Sequence, residues 1–288
     1  GFLNNPKATN ATITSTYFAI QALDRTNETS NVDTESLYDF IINLQLTNAT
    51  DYPDTVGSFV NQINGSATVS STFFAISTLE TFDHSQLGLI NESLAIAWLN
   101  SSQLLDDSSS PSYGGFVNGF NTTTADLQTT FMAVRSLEIL GALSLIDQTA
   151  VINYVLPHYR ENTNYPQFYG GFSLTPDDPV ATHWATYYAV ATLQILGAEN
   201  QLATEDIIAW VLSTQTSDGG FADVTGSTGF APQTNLAIST LALLDQLPAL
   251  QEPFGPDLYA FPWWIVGVVV LVIVIILFVI IARRADWF

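Results

Sequence analysis

The chain has 288 residues, 47% of them hydrophobic and only 11% charged, and its 27 acidic against 6 basic residues leave a formal charge of −21. Such an acidic surface cannot neutralise phosphates along a strand, which excludes nucleic acid as a partner. The absence of cysteine removes disulfides, thiolate metal sites and cysteine nucleophiles together.

The chain opens on Gly1-Phe2, a start that fits removal of a signal peptide. The segment TYFAIQAL begins at Thr16, and a helical pattern, ESLYDFIINLQ, follows at 35–45. A glycine turn, VGSFVNQI at 56–63, leads to TFFAISTL at Thr72. The same order then recurs three times. ESLAIAWLNSSQ (92–103) leads through YGGFVNGF (113–120) to TFMAVRSL at Thr130. TAVINYVLPHYR (149–160) leads through YGGFSLTP (169–176) to TYYAVATL at Thr186. EDIIAWVLSTQ (205–215) leads through DGGFADVT (218–225) to TNLAISTL at Thr234. Thr34, Asn91 and Thr204 read as N-caps, and Pro157 predicts a kink or early stop.

Each motif phenylalanine (Phe2, Phe59, Phe116, Phe172, Phe221) precedes its threonine by 13 or 14 residues. Alanine follows the threonine at the third position and leucine at the seventh, from Ala19 and Leu23 to Ala237 and Leu241, which marks one helix face. The unit is therefore helix, glycine turn, extended loop, helix, and nine helices are predicted. A unit of this kind cannot bury its apolar face alone and must stack on its neighbours.

After residue 247 the pattern ends. Residues 248–262 read as a linker, and 263–282, WWIVGVVVLVIVIILFVIIA, is a run of 20 uncharged residues, the length of a transmembrane helix. Trp263 and Trp264 suit an interfacial belt, and Arg283 with Arg284 places the tail, 283–288, in the cytoplasm. Residues 1–247 would then lie outside the cell. N-x-S/T sequons at Asn10, Asn27, Asn48, Asn64, Asn91, Asn100 and Asn121 predict N-linked glycans on the N-terminal half. Low charge and no cysteine suit a secreted archaeal protein.

The pattern helix–Gln–x–x–DGGF–loop–T-x-x-A-x-x-x-L resembles the repeats of protein prenyltransferase β subunits and squalene or terpene cyclases, an architecture shared by complement-type thioester domains. The resemblance covers residues 1–247. It implies an all-α fold, an α/α toroid with the helices after the glycine turns on the inner ring; the nine helices counted in the chain make about four and a half hairpins, fewer than the six the resemblance suggests. Zinc prenyltransferases ligate their metal with Asp, Cys and His near the mouths of inner helices. Here there is no cysteine, and threonines stand at the comparable positions. The D-x-D-D acid of cyclases and the G-C-G-E-Q of thioester domains are missing as well. No metal and no cofactor are expected.

By the same resemblance Asp126, Gln128, His183, Trp184 and Gln233 would rim a funnel. His183 reads as a general base or ligand, or as a polar loop residue. His84 falls in a loop and His158 follows Pro157. The acids Asp106-Asp107, Asp177-Asp178, and Asp218 with Asp223, could bind Ca²⁺ or cleave glycans, or be solvated turn residues. Trp98 and Trp210 hold equivalent places and read as core. The expectation is a non-catalytic, membrane-anchored extracellular binding or scaffold protein, an accessory subunit of a larger assembly. Its partners would be the lipid bilayer, other protein subunits and N-linked glycans. The alternatives are a glycan-active enzyme and a lipid- or isoprenoid-binding toroid.

Overall fold

The repeated threonine explains why these segments fold as they do. Its hydroxyl accepts the backbone N–H of the motif phenylalanine in all five copies: Phe2 to Thr16 at 2.9 Å, Phe59 to Thr72 at 3.0 Å, Phe116 to Thr130 at 3.1 Å, Phe172 to Thr186 and Phe221 to Thr234 at 2.9 Å each. The Phe ring is thereby fixed inward; Phe59, Phe116, Phe172 and Phe221 are fully buried. Valine at Thr130 would keep the shape and orphan the buried Phe116 N–H, so Thr130→Val is expected to cost about 1–3 kcal/mol in urea denaturation.

The computed structural model describes residues 1–251 apart from positions 6, 9, 49–52, 162–163 and 225–226. It contains nine α-helices among the described residues: α1 (Ile13–Arg25), α2 (Thr34–Ile42), α3 (Val69–Phe82), α4 (Glu92–Ser101), α5 (Leu127–Ile139), α6 (Gln148–Val155), α7 (His183–Ile195), α8 (Thr204–Ser213) and α9 (Ala231–Leu243). One two-stranded ladder, β1 (Phe59–Val60) with β2 (Ala67–Thr68), is antiparallel. The matched threonines lie one turn inside their helices rather than opening them. The caps are Thr12, Thr68, Asp126 and Thr182 for α1, α3, α5 and α7. Asn91 caps α4 as expected, but Asp33 rather than Thr34 caps α2, and α8 follows Ala203 with no side-chain cap. The third outer helix stops at Val155 and tightens to 3₁₀ over Leu156–His158, where Pro157 predicts it.

Helices α1, α3, α5, α7 and α9 pack side by side in chain order as an inner layer, and α2, α4, α6 and α8 stand behind them. The glycine pair makes that packing close. Gly57, Gly114 and Gly170 have φ of +99°, +88° and +96°. A Cβ there would lie 2.0–2.2 Å from the carbonyl oxygens of Leu94, Ala150 and Asp206 in the next outer helix. Glutamines lock the contact. Gln45 Nε2 donates to the carbonyls of Gly57 and Asn91, and its Oε1 accepts from Asn91 N–H at 2.8 Å. Gln103 repeats this with Gly114 and Asp147.

Residues Gly1–Asp245 form one compact unit; the second begins at Gln246, and its described part is a 3₁₀ turn, Leu247–Gln251. The rest of the expected linker and the apolar stretch 263–282 lie outside the described residues.

Candidate functional site

The residue after each repeat threonine points to the centre of the inner layer, and in four copies of five it is aromatic: Tyr17, Phe73, Phe131 and Tyr187. Their rings touch in series, with centroids 5.7 Å apart for Tyr17–Phe73, 6.0 Å for Phe73–Phe131 and 5.9 Å for Phe131–Tyr187. Tyr188 joins the belt 5.3 Å from Phe131, and Trp184 extends it edge-on, 5.5 Å from Tyr188.

Two adjoining clefts border this belt and share Tyr17, Gln21 and Tyr187. One, about 340 Å³, adds Ser77, Glu80 and Arg135; the other, about 400 Å³, adds Phe18, Arg25 and Leu236. Both volumes suit small organic ligands. In a chain with only six basic residues, two line these clefts, Arg25 and Arg135. Burial raises the Tyr17 and Tyr187 phenols above their ordinary range, and both guanidiniums act against that rise, so the cations stand close to the belt. Arg135 pairs with Glu138, and Gln21 donates to Thr81 at 2.9 Å. The Ser77 hydroxyl is buried without a hydrogen-bond partner among the described residues.

The five expected rim residues divide into two groups. Asp126 caps α5, accepting from Thr129 N–H at 2.8 Å and Thr129 Oγ1 at 2.6 Å. Gln128 hydrogen-bonds the Tyr188 phenol, and Trp184 is 40% exposed beside it. These three share the N-terminal mouth of the belt. His183 and Gln233 meet elsewhere, at Asp223: His183 N–H donates to Oδ1 at 2.7 Å and Gln233 Nε2 to Oδ2 at 3.2 Å. The His183 ring is fully buried behind α7, 4.8 Å from Trp210, with Nε2 2.8 Å from Thr214 Oγ1.

Desolvation lowers the His183 pKa to about 4, opposed by Asp223 and by a hydrogen bond to the Ala222 backbone. A depressed histidine binds its proton less readily when folded than when unfolded, where the value is about 6.5. Stability therefore falls as pH drops from about 6.5 toward 4, by up to about 1.4 kcal/mol per pH unit for one proton. Urea melts across that range should show a shallower pH slope for His183→Gln than for the unaltered chain.

The other candidates serve the fold. His84 pairs with Glu80 at the surface, and His158 is buried with Nδ1 3.0 Å from the Ser173 carbonyl. Asp107 closes its own turn on Ser109, Asp178 on Val180 and Asp218 on Gly220 and Gly229. Trp98 and Trp210 are core. The residues present do not fit a zinc ion. Asp126 is engaged as a cap, the His183 ring is held behind α7 away from the mouth, and there is no thiolate to complete a set. Among the described residues no three His, Cys, Asp or Glu side chains converge.

The family model for the prenyltransferase alpha-alpha toroid domain matches residues 1–68 and 62–267. The chain is 28% identical over 169 residues to the geranylgeranyl transferase type-1 subunit beta of Arabidopsis thaliana, which covers 55% of this chain and 40% of that protein. The chain thus matches less than half the length of that relative. The fold superposes on Candida albicans protein geranylgeranyltransferase-I complexed with GGPP at a TM-score of 0.69, with 16% identity, covering 86% of this chain and 71% of that one.

The family match and the geranylgeranyl transferase relative overturn the expectation of a membrane-anchored extracellular scaffold, and with it the glycan-active alternative. Four of the seven sequon asparagines also have a conformational role. Asn27, Asn64 and Asn121 occupy left-handed turns at φ of +57°, +64° and +64°, where asparagine is favoured, and Asn91 caps α4. Among the described residues no helix is long and apolar enough to cross a membrane. The toroid and its family are as the repeats imply.

Proposed function

The chain belongs to the prenyltransferase alpha-alpha toroid domain family, and on that premise we propose that it is a prenyltransferase-type toroid subunit that holds an isoprenyl diphosphate at the centre of its inner layer. The observation that carries this is the aromatic belt ending in two arginines. The belt offers ring faces and edges to an unsaturated hydrocarbon chain, whose transfer from water is favourable at about 25 cal/mol per Å² covered. Arg25 and Arg135 offer planar, bidentate donors to a diphosphate. The structural relative is described with GGPP, which supports a long isoprenoid as the ligand class.

Zinc activation of an acceptor thiol is not part of this proposal, since the mouth lacks the donor set. Prenyl transferase subunits of this type point to a protein partner for this chain as well.

Titration of the purified chain with geranylgeranyl diphosphate should quench its aromatic fluorescence saturably, and free diphosphate should compete only weakly. An unchanged spectrum, or full competition by diphosphate alone, would refute the reading.

A further inference from the structure

The face that the inner helices turn to the centre is written in three levels. Offsets of one, five and eight from each repeat threonine share one side of a helix. The first level is the aromatic belt. Four residues on, about 6 Å further along the axis, stand Gln21 on α1, Ser77 on α3 and Arg135 on α5, all lining the first cleft. Three residues beyond them come Asp24, Glu80 and Glu138. The middle level is the polar step next to the rings, with carboxylates behind it.

Two members of that step are engaged within the fold, Gln21 with Thr81 and Arg135 with Glu138. Ser77 is not. Hydroxyls buried elsewhere on the inner helices return to the carbonyl four residues back: Thr78 to Phe74 at 2.6 Å, Ser136 to Met132 and Thr192 to Tyr188 at 2.7 Å, and Thr240 to Leu236 at 2.9 Å. Ser77 Oγ is buried and makes neither this bond nor any other among the described residues. A buried polar atom left so is costly, and alanine at this position would escape the cost and favour the helix. A rotation about the single Cα–Cβ bond carries the hydroxyl from one staggered position to another, and here that turn breaks no hydrogen bond.

We propose that Ser77 is a diphosphate-binding residue: its hydroxyl turns into the cleft and donates to a phosphoryl oxygen beside Arg135. The inference rests on the reading that the centre takes an isoprenyl diphosphate, and it fixes which way that ligand lies. The diphosphate stands at the middle level, and the hydrocarbon runs back over the belt toward Trp184. Arg135 is shared with Glu138, so a second donor on the neighbouring helix holds the phosphate where the guanidinium alone would divide between two anions.

Calorimetry on the full-length chain tests the assignment with geranylgeranyl diphosphate and geranylgeraniol. Ser77→Ala should weaken the diphosphate about tenfold and leave the alcohol unchanged. The urea midpoint of the unliganded variant should equal or exceed that of the unaltered chain, since no bond within the fold is lost. A geranylgeranyl diphosphate with a diazirine at the far end of its hydrocarbon should label Trp184 or Tyr188. If the unaltered chain binds no geranylgeranyl diphosphate, the functional reading falls and the assignment with it. If it binds, but Ser77→Ala binds as tightly or loses both ligands alike, the assignment alone is overturned. A lower urea midpoint overturns it too, because the hydroxyl would then serve the fold, and so does a far-end label on Glu80 or Arg135.

Discussion

Gly114→Val is expected to lose about 4–5 kcal/mol or more of stability, while Gly219→Val loses only about 1–3 kcal/mol. Both glycines sit at nearly the same backbone angle, +88° and +86°. A β-branched residue there carries about 1–3 kcal/mol of backbone strain. At Gly114 the new Cβ would also stand 2.1 Å from the Ala150 carbonyl oxygen, and helix backbone cannot yield as a side-chain tip can. The overlap forces α6 off the turn, breaks the Gln103 grip on Asp147, and brings the loss to about 4–5 kcal/mol or more. Domain stabilities are only about 5–15 kcal/mol. At Gly219 the strain acts alone as far as the described residues go, because none of them lies within 4 Å. Urea denaturation followed by circular dichroism separates the two terms. Equal losses at both positions would mean that the turn angle, and not repeat packing, sets the need for glycine.

Arg135→Ala should weaken geranylgeranyl diphosphate binding by about tenfold to a hundredfold, the range of one charge-assisted contact worth about 1.5–3 kcal/mol. Geranylgeraniol, which has no diphosphate, should bind both forms alike. The sign of a second variant sharpens the point. Arg135 pairs with Glu138 in the free chain, so a diphosphate has to compete with that carboxylate. Glu138→Gln frees the guanidinium and should tighten binding. Both variants are measured by calorimetry at fixed salt, because exposed charge pairs are screened. If the two change affinity in the same direction, Arg135 is not the diphosphate ligand.

Much of the architecture was legible because the repeat is a physical device written at fixed spacing. The glycine pairs, the threonine one turn into each inner helix and Pro157 each dictate a local geometry that recurs. What the pattern hid was direction. His183 precedes Thr186 by three residues, and a three-residue step keeps one helix face. That face is the Thr–Ala–Leu face that packs on the outer layer, which is why His183 is buried there instead of rimming the centre. The residue after each threonine is turned about 100° around the helix from it, toward the centre. Its recurrence is present in TYF, TFF, TFM and TYY, whereas the histidines and acid pairs occur at no fixed place in the repeat. Four of the sequon asparagines serve left-handed turns or a helix cap, and a loop-rich repeat protein needs both.

The most direct measurement is photolabelling of the full-length chain with a diazirine-bearing geranylgeranyl diphosphate, with the adducts mapped by peptide mass spectrometry. The account predicts labels on the belt, at Tyr17, Phe73, Phe131 or Tyr187, that disappear in excess unlabelled ligand. Labels confined to the outer helices, or labels that excess ligand does not displace, would contradict it.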